Sequence, residues 1–127
     1  MIVVDTSALM SLLLSEPSAD RIAEILASED QIVLSAGTLA EALIVAARRG
    51  VSEEMTQLLD GLGIDVEPLD AAGAYAVAGA YDAWGRGVNP AGLNFGDCFA
   101  YVVAKAHTAP LLFVGEDFSK TDVAPAV

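Results

Sequence analysis

The sequence predicts an α/β fold: a central parallel sheet of four to five short strands, flanked by helices on both faces. Three observations point there. Short apolar, largely β-branched runs recur at residues 2–4, 32–34, 64–66 and 111–114. Helix-length segments with their own capping residues alternate with those runs, the pattern of a parallel sheet whose crossovers are helical. Hydrophobic residues make up 54% of 127 positions, enough for one packed core and too many for a disordered chain.

The elements follow in order. Residues 2–4 read as a buried strand. Asp5, Thr6 and Ser7, all good N-cap types, precede the apolar helical stretch 8–14. Pro17 opens a second helix running to about Ser28, with Ile22, Ile25 and Leu26 on one face. Residues 32–34 form the second strand, and residues 36–49 a long helix stopped by Gly50. Ser52 caps the next helix, whose first turn holds Glu53 and Glu54 where the helix dipole favours acids. Residues 64–66 are the third strand. Asp70 caps an Ala-rich helix reaching Trp84, and residues 85–93, with three glycines and Pro90, form a loop. Asn94 caps a helix from Phe95 to about His107, and residues 111–114 are the fourth strand. A short turn or helix around residues 117–121 precedes a tail of little structure. No repeat, linker or low-complexity segment divides the chain, so residues 1–127 read as a single domain.

Composition narrows the setting. No stretch approaches the roughly 18 apolar residues of a membrane span, and the start, MIVVDTSAL, lacks the basic opening of a signal peptide. The one cysteine, Cys98, has no partner for an internal disulfide. A soluble cytoplasmic protein is the expectation. The formal charge of −12, with only six Lys and Arg residues, works against phosphate binding. Acids gathered around a divalent cation would relieve that objection, because the ion presents positive charge to phosphate. A cationic protein partner would relieve the remainder.

Several acids fall where chemistry is done in such sheets, beyond the carboxyl ends of the strands. Asp5 and the pair Glu116–Asp117 directly follow predicted strands, and Asp97 sits in the first turn of its helix. Glu41 lies in AGTLAEALIVAA, where Thr38 is the only other polar side chain; such a carboxylate is costly to bury unless paired or metal-bound. Arg48 follows it by seven residues on the same helical face. Each acid also has a plainer reading. Asp5 is placed to act as an N-cap, worth about 1 kcal/mol. Asp97 stands three residues after Asn94, as in a capping box. Glu41 could face solvent, and Asp117 could cap the last short helix. Thr6 and Ser7 either cap their helix or hold a water at a metal. His107, alone at a helix end, suits the dipole and makes no zinc site. Only the joint placement at one sheet edge favours chemistry. Clustered carboxylates repel and raise one another's pKa. A hard cation such as Mg²⁺ removes that penalty, acidifies water and clamps a phosphoryl oxygen. No Gly-rich phosphate loop, Ser–His–Asp set or CxxC competes.

The segments VVDTSAL, TLAEA, NPAGLNFGDCFAYVVAK and LLFVGEDFSKTDV closely resemble VapC toxins, the PIN-domain ribonucleases of type II VapBC toxin–antitoxin pairs, and the resemblance spans essentially the whole chain. It implies a PIN-like fold and a toxin that cleaves structured RNA with a metal-activated water, using Mg²⁺ or Mn²⁺. It implies Asp5 and Asp97 as metal ligands, with Glu41 binding directly or through water. Asp117 matches the last acid, although many PIN proteins carry an acid where this chain has Gly115. Glu116 therefore stays open as the fourth carboxylate. Thr6, Ser7 and Asn94 match supporting positions. A homodimer and an inhibitory VapB-type antitoxin, inserting a basic side chain near the acids, are also implied. Arg48, Arg49 and Lys105 are the candidate RNA phosphate contacts. The competing readings are a PIN nuclease acting in RNA processing without an antitoxin, a PIN-fold binding module that has lost catalysis, and a receiver-like signalling domain. The last normally has adjacent acids after its first strand and a lysine after a late strand; here Asp5 stands alone, and no lysine follows residues 111–114 before Lys120.

Overall fold

A computed structural model describes every residue from Met1 to Val127. Four parallel strands, β1 (Ile2–Val4), β2 (Ile32–Ser35), β3 (Asp65–Glu67) and β4 (Leu111–Leu112), lie in the order β3-β2-β1-β4. Pairs of helices make the crossovers. These are α1 (Thr6–Leu13) and α2 (Ala19–Ala27), then α3 (Ala36–Arg48) and α4 (Ser52–Leu62), then α5 (Ala71–Trp84) and α6 (Phe95–His107).

Alternation along the strands builds two cores, one on each face of the sheet. Val3, Val33 and Leu111 point to one side, where Phe99, Val103, Leu93 and Phe118 cover them. Ile2, Val4, Ile32, Leu34 and Leu112 point to the other, against Leu9, Ile22, Ala42 and Met55. Burial on both faces is why β1, β2 and β4 read as apolar runs. The register sets Val3 beside both Val33 and Leu111.

Several boundaries differ from the sequence expectation. α1 begins at Thr6 rather than at residue 8, and α2 begins at Ala19, with Ser18 in the cap position, rather than at Pro17. The strand expected at residues 64–66 is shifted by one to Asp65–Glu67 and is largely exposed, as an edge strand with a single neighbour. The fourth strand is two residues long instead of four, because the Val114 amide leaves the sheet and donates to Ser7 Oγ at 3.0 Å. Ser52 is the first helical residue of α4 rather than its cap, and Val51 takes the cap position without a side-chain bond. The tail is ordered against β4. Leu111 N donates to the Ala124 carbonyl at 2.8 Å, Ala126 N donates to the Leu111 carbonyl at 3.0 Å, and Val123 is buried.

Candidate active site

Asp5 is the N-cap of α1 and also the starting point of the site. Its Oδ2 accepts the Ser7 amide at 3.1 Å and the Ser7 hydroxyl at 2.6 Å. Ser7 in turn is fixed by the Val114 amide, which ties α1 to the segment after β4. Asp5 Oδ1 is different: it is buried and has no hydrogen-bond partner. The capping role is real, and it uses only half of the carboxylate. Burial pushes this carboxyl up to about 6, against the downward pull of the two Ser7 bonds, and the nearby charge of Glu41 pushes it further.

Glu41 reaches the same place from α3. Its Oε1 accepts the Thr6 hydroxyl at 2.6 Å. Its other face lies against the first turn of α6, so close to Gly96 that a Cβ there would overlap the carboxylate. Gly96 was not singled out in the sequence, since its significance is a close approach by a residue 55 positions away. Thr38, one turn before Glu41 on α3, is fully buried, and its hydroxyl has no partner.

Asp97 forms a full capping box with Asn94. The Asp97 amide donates to Asn94 Oδ1 at 2.8 Å, and the Asn94 amide donates to Asp97 Oδ2 at 3.0 Å. The helical role again occupies one carboxylate oxygen. Burial raises the Asp97 carboxyl to about 7, opposed by the Asn94 amide, while the charges of Asp5, Asp117 and Glu41 raise it further. The charges of the three other acids thus all act on Asp97. Asp117 is exposed, and its charge acts on Asp97 from the solvent side. Gly115 takes a φ of +97°, a conformation that side chains rarely adopt, so an acid at that position would be strained.

The expected cations separate. Arg48 lines a groove of about 410 Å³ that also contains Glu41. Arg49 is the exposed C-cap of α3 and lies outside that groove. Lys105 is not directed at the acids: its ammonium pairs with Asp122 at 3.2 Å. Asp122 also accepts the Tyr101 hydroxyl at 2.6 Å, and Tyr101 accepts the Trp84 indole N–H at 3.0 Å. His107 pairs with Glu67 as well as standing at its helix end.

The donor set suits a sparsely coordinated hard cation. Asp5 Oδ1 is a buried acceptor lacking a donor, and the Asp5 and Asp97 carboxyls are raised by burial and by neighbouring charge. No three of these side chains stand in ligating geometry about one point as they lie. Mg²⁺ asks for less, usually one or two carboxylates with water in the remaining positions. Asp5 Oδ1 and the Asp97 oxygen left out of the capping box are the atoms free to serve.

A parallel sheet wrapped by helices, with acids converging from the ends of its strands, defines the class of protein at issue. The family model described as PIN domain matches residues 2–124. Ribonuclease VapC30 of Mycobacterium tuberculosis is 42% identical over 125 residues, covering 96% of this chain and 95% of its own. Ribonuclease VapC42 of the same organism is 39% identical over 128 residues, covering 98% of each. The solved structure of M. tuberculosis VapC20, titled a sarcin-ricin loop cleaving toxin, superposes with a TM-score of 0.78 at 18% identity, covering 98% of this chain and 97% of that one. A toxin–antitoxin complex from Klebsiella pneumoniae gives 0.73 at 17% identity, covering 96% and 93%. The chain belongs to the PIN-domain family, among its VapC members. No helix is long and apolar enough to cross a membrane.

Proposed function

We propose that this chain is the toxin of a type II VapBC-type pair, a Mg²⁺-dependent endoribonuclease held in check by a VapB-type antitoxin. One observation carries the catalytic part: Asp5 Oδ1 is buried without a donor beside the charges of Glu41 and Asp97. A carboxylate oxygen left so is costly unless a cation completes it. The ribonuclease names of the relatives support RNA as the substrate.

Asp5 and Asp97 would hold Mg²⁺, or Mn²⁺ in its place, through the oxygens not spent on helix caps. When bound, the ion supplies an acidified water and a Lewis acid for a phosphoryl oxygen. The Ser7 hydroxyl holds the Asp5 carboxylate at Oδ2 and the Asn94 amide holds that of Asp97 at Oδ2, which limits the rotation of each. Thr6 aims Glu41 into the shell, where it accepts hydrogen bonds from water. Asp117, on the open side, is the fourth acid. The formal charge of −12 and the antitoxins named with structural neighbours support a cationic protein partner. A homodimer follows from the family resemblance.

The test is cleavage of total RNA by the protein purified free of any partner, with Mg²⁺ or with EDTA, alongside Asp97→Asn. Mapped cuts that need Mg²⁺ and vanish in the variant are expected. Cuts that persist in EDTA, or no cutting by the folded wild type, would contradict the proposal.

A further inference from the structure

We propose that the groove between α3 and α6 is the subsite for the nucleotide beside the scissile phosphate, with Phe95 as the platform on which its base stacks. The inference rests on the nuclease reading above. Along α3 the groove shows Glu41, Ile44, Val45 and Arg48, which lie on one helical face. It therefore runs from the acidic site to Arg48, whose backbone lies about 10 Å further along the helix axis at a rise of 1.5 Å per residue. Its opposite wall is Phe95, Gly96 and Phe99.

Phe95 is the only exposed phenylalanine of the four. It is the first residue of α6, and 68% of it is exposed. Its ring meets that of Phe99 edge-on, with centroids 4.8 Å apart, and the Phe99 ring itself packs closely on Gly37. A flat, supported aromatic face is thus held open to solvent two residues from Asp97. Core packing does not ask for this, and solubility argues against it. RNA whose phosphate is cut at Glu41 must lie alongside this ring. Stacking on an aromatic face accepts any base, because every base has a π-face. Arg48 makes no ion pair within the chain, so its charge is free for the next phosphate in a protein otherwise strongly acidic. The space of about 410 Å³ is mainly apolar, with a carboxylate at one end and a cation at the other, surfaces that complement the base and the phosphate of a nucleotide.

The test follows cleavage of total RNA in Mg²⁺ by wild type, Phe95→Ala, Phe95→Leu, Phe95→Trp and Arg48→Gln. Phe95→Ala and Phe95→Leu should raise KM roughly tenfold, the loss of one base stack, with kcat kept. Phe95→Trp should behave as wild type. Arg48→Gln should raise KM and flatten the dependence of log KM on log salt by about 0.7, the value of one single-strand phosphate contact. Phe95→Ala cleaving as wild type would overturn the inference. So would Phe95→Leu matching Phe95→Trp, since a greasy surface for a protein partner needs no ring. A wild type that cuts nothing would instead strike the nuclease reading itself.

Discussion

The hydroxyl of Thr6 donates to Glu41 Oε1 at 2.6 Å, joining the helix after β1 to the helix after β2 across 35 positions. The bond crosses between the elements that deliver Asp5 and Glu41, so it fixes their spacing. Removing it with Thr6→Val leaves Glu41 free to swing. Outer-shell partners of metal ligands are worth about 10–100-fold in affinity. Calorimetric titration with Mg²⁺ should show at least a tenfold weaker Kd for Thr6→Val, restored by Thr6→Ser.

Gly96 sets the opposite limit on Glu41. A methyl at this position would occupy the space of the Glu41 carboxylate. That carboxylate is the end of a flexible side chain, so the fold can yield by letting it turn away. Gly96→Ala should therefore unfold within about 2 kcal/mol of wild type while losing Mg²⁺ affinity as Thr6→Val does. Paired denaturation and titration curves check this.

Much of the fold was legible because its determinants are local. Asp70 and Asn94 cap α5 and α6 through bonds to amides three residues on, and such spacing is visible in sequence. The strands from Ile2 and from Ile32 were legible as apolar runs. Asp5 and Asp117 are legible by their place after strands, Asp97 by its place in a helix's first turn and Glu41 as a lone acid in an apolar helix. The capping bonds of Asp5 and Asp97 each use one carboxylate oxygen and leave the other for the proposed metal. What escaped is long-range. β4 is cut short by a serine more than 100 positions away. Lys105 is taken by Asp122 in a tail that looked unstructured. Gly96 and the bare ring of Phe95 acquire meaning only when α3 arrives beside α6.

Asp5 and Asp97 also determine how stability responds to pH. Their carboxyls are raised from 3.8 to about 6 and about 7, by burial first and neighbouring charge after it. A raised acid adds stability that is complete below about pH 4 and is lost as pH climbs through its folded value. Each unit is about 1.4 kcal/mol, so the pair withdraws a few kcal/mol or more by pH 8. Without metal the protein should melt higher at pH 5.5 than at pH 8. Mg²⁺ should raise Tm at pH 8 and do nothing at pH 5, where the acids hold protons. Thermal melts across this range check both signs.

Thr38 offers a stability test away from titration. Its fully buried hydroxyl finds no partner, which leaves a desolvated donor and acceptor in the core of α3. Valine has nearly the same shape and no hydroxyl. Thr38→Val should raise stability to chemical denaturation by about 1 kcal/mol. A loss of stability would show that the hydroxyl is satisfied in solution, by a buried water.

Asp5 Oδ1 is buried without a donor, and the proposed function gives it to a divalent cation. Mn²⁺ binding followed by electron paramagnetic resonance at pH 8, on wild type and Asp5→Asn with folding monitored by circular dichroism, tests this directly. A stoichiometric site in wild type that is lost in a folded Asp5→Asn protein is expected. Equal Mn²⁺ binding by the two proteins would contradict the assignment.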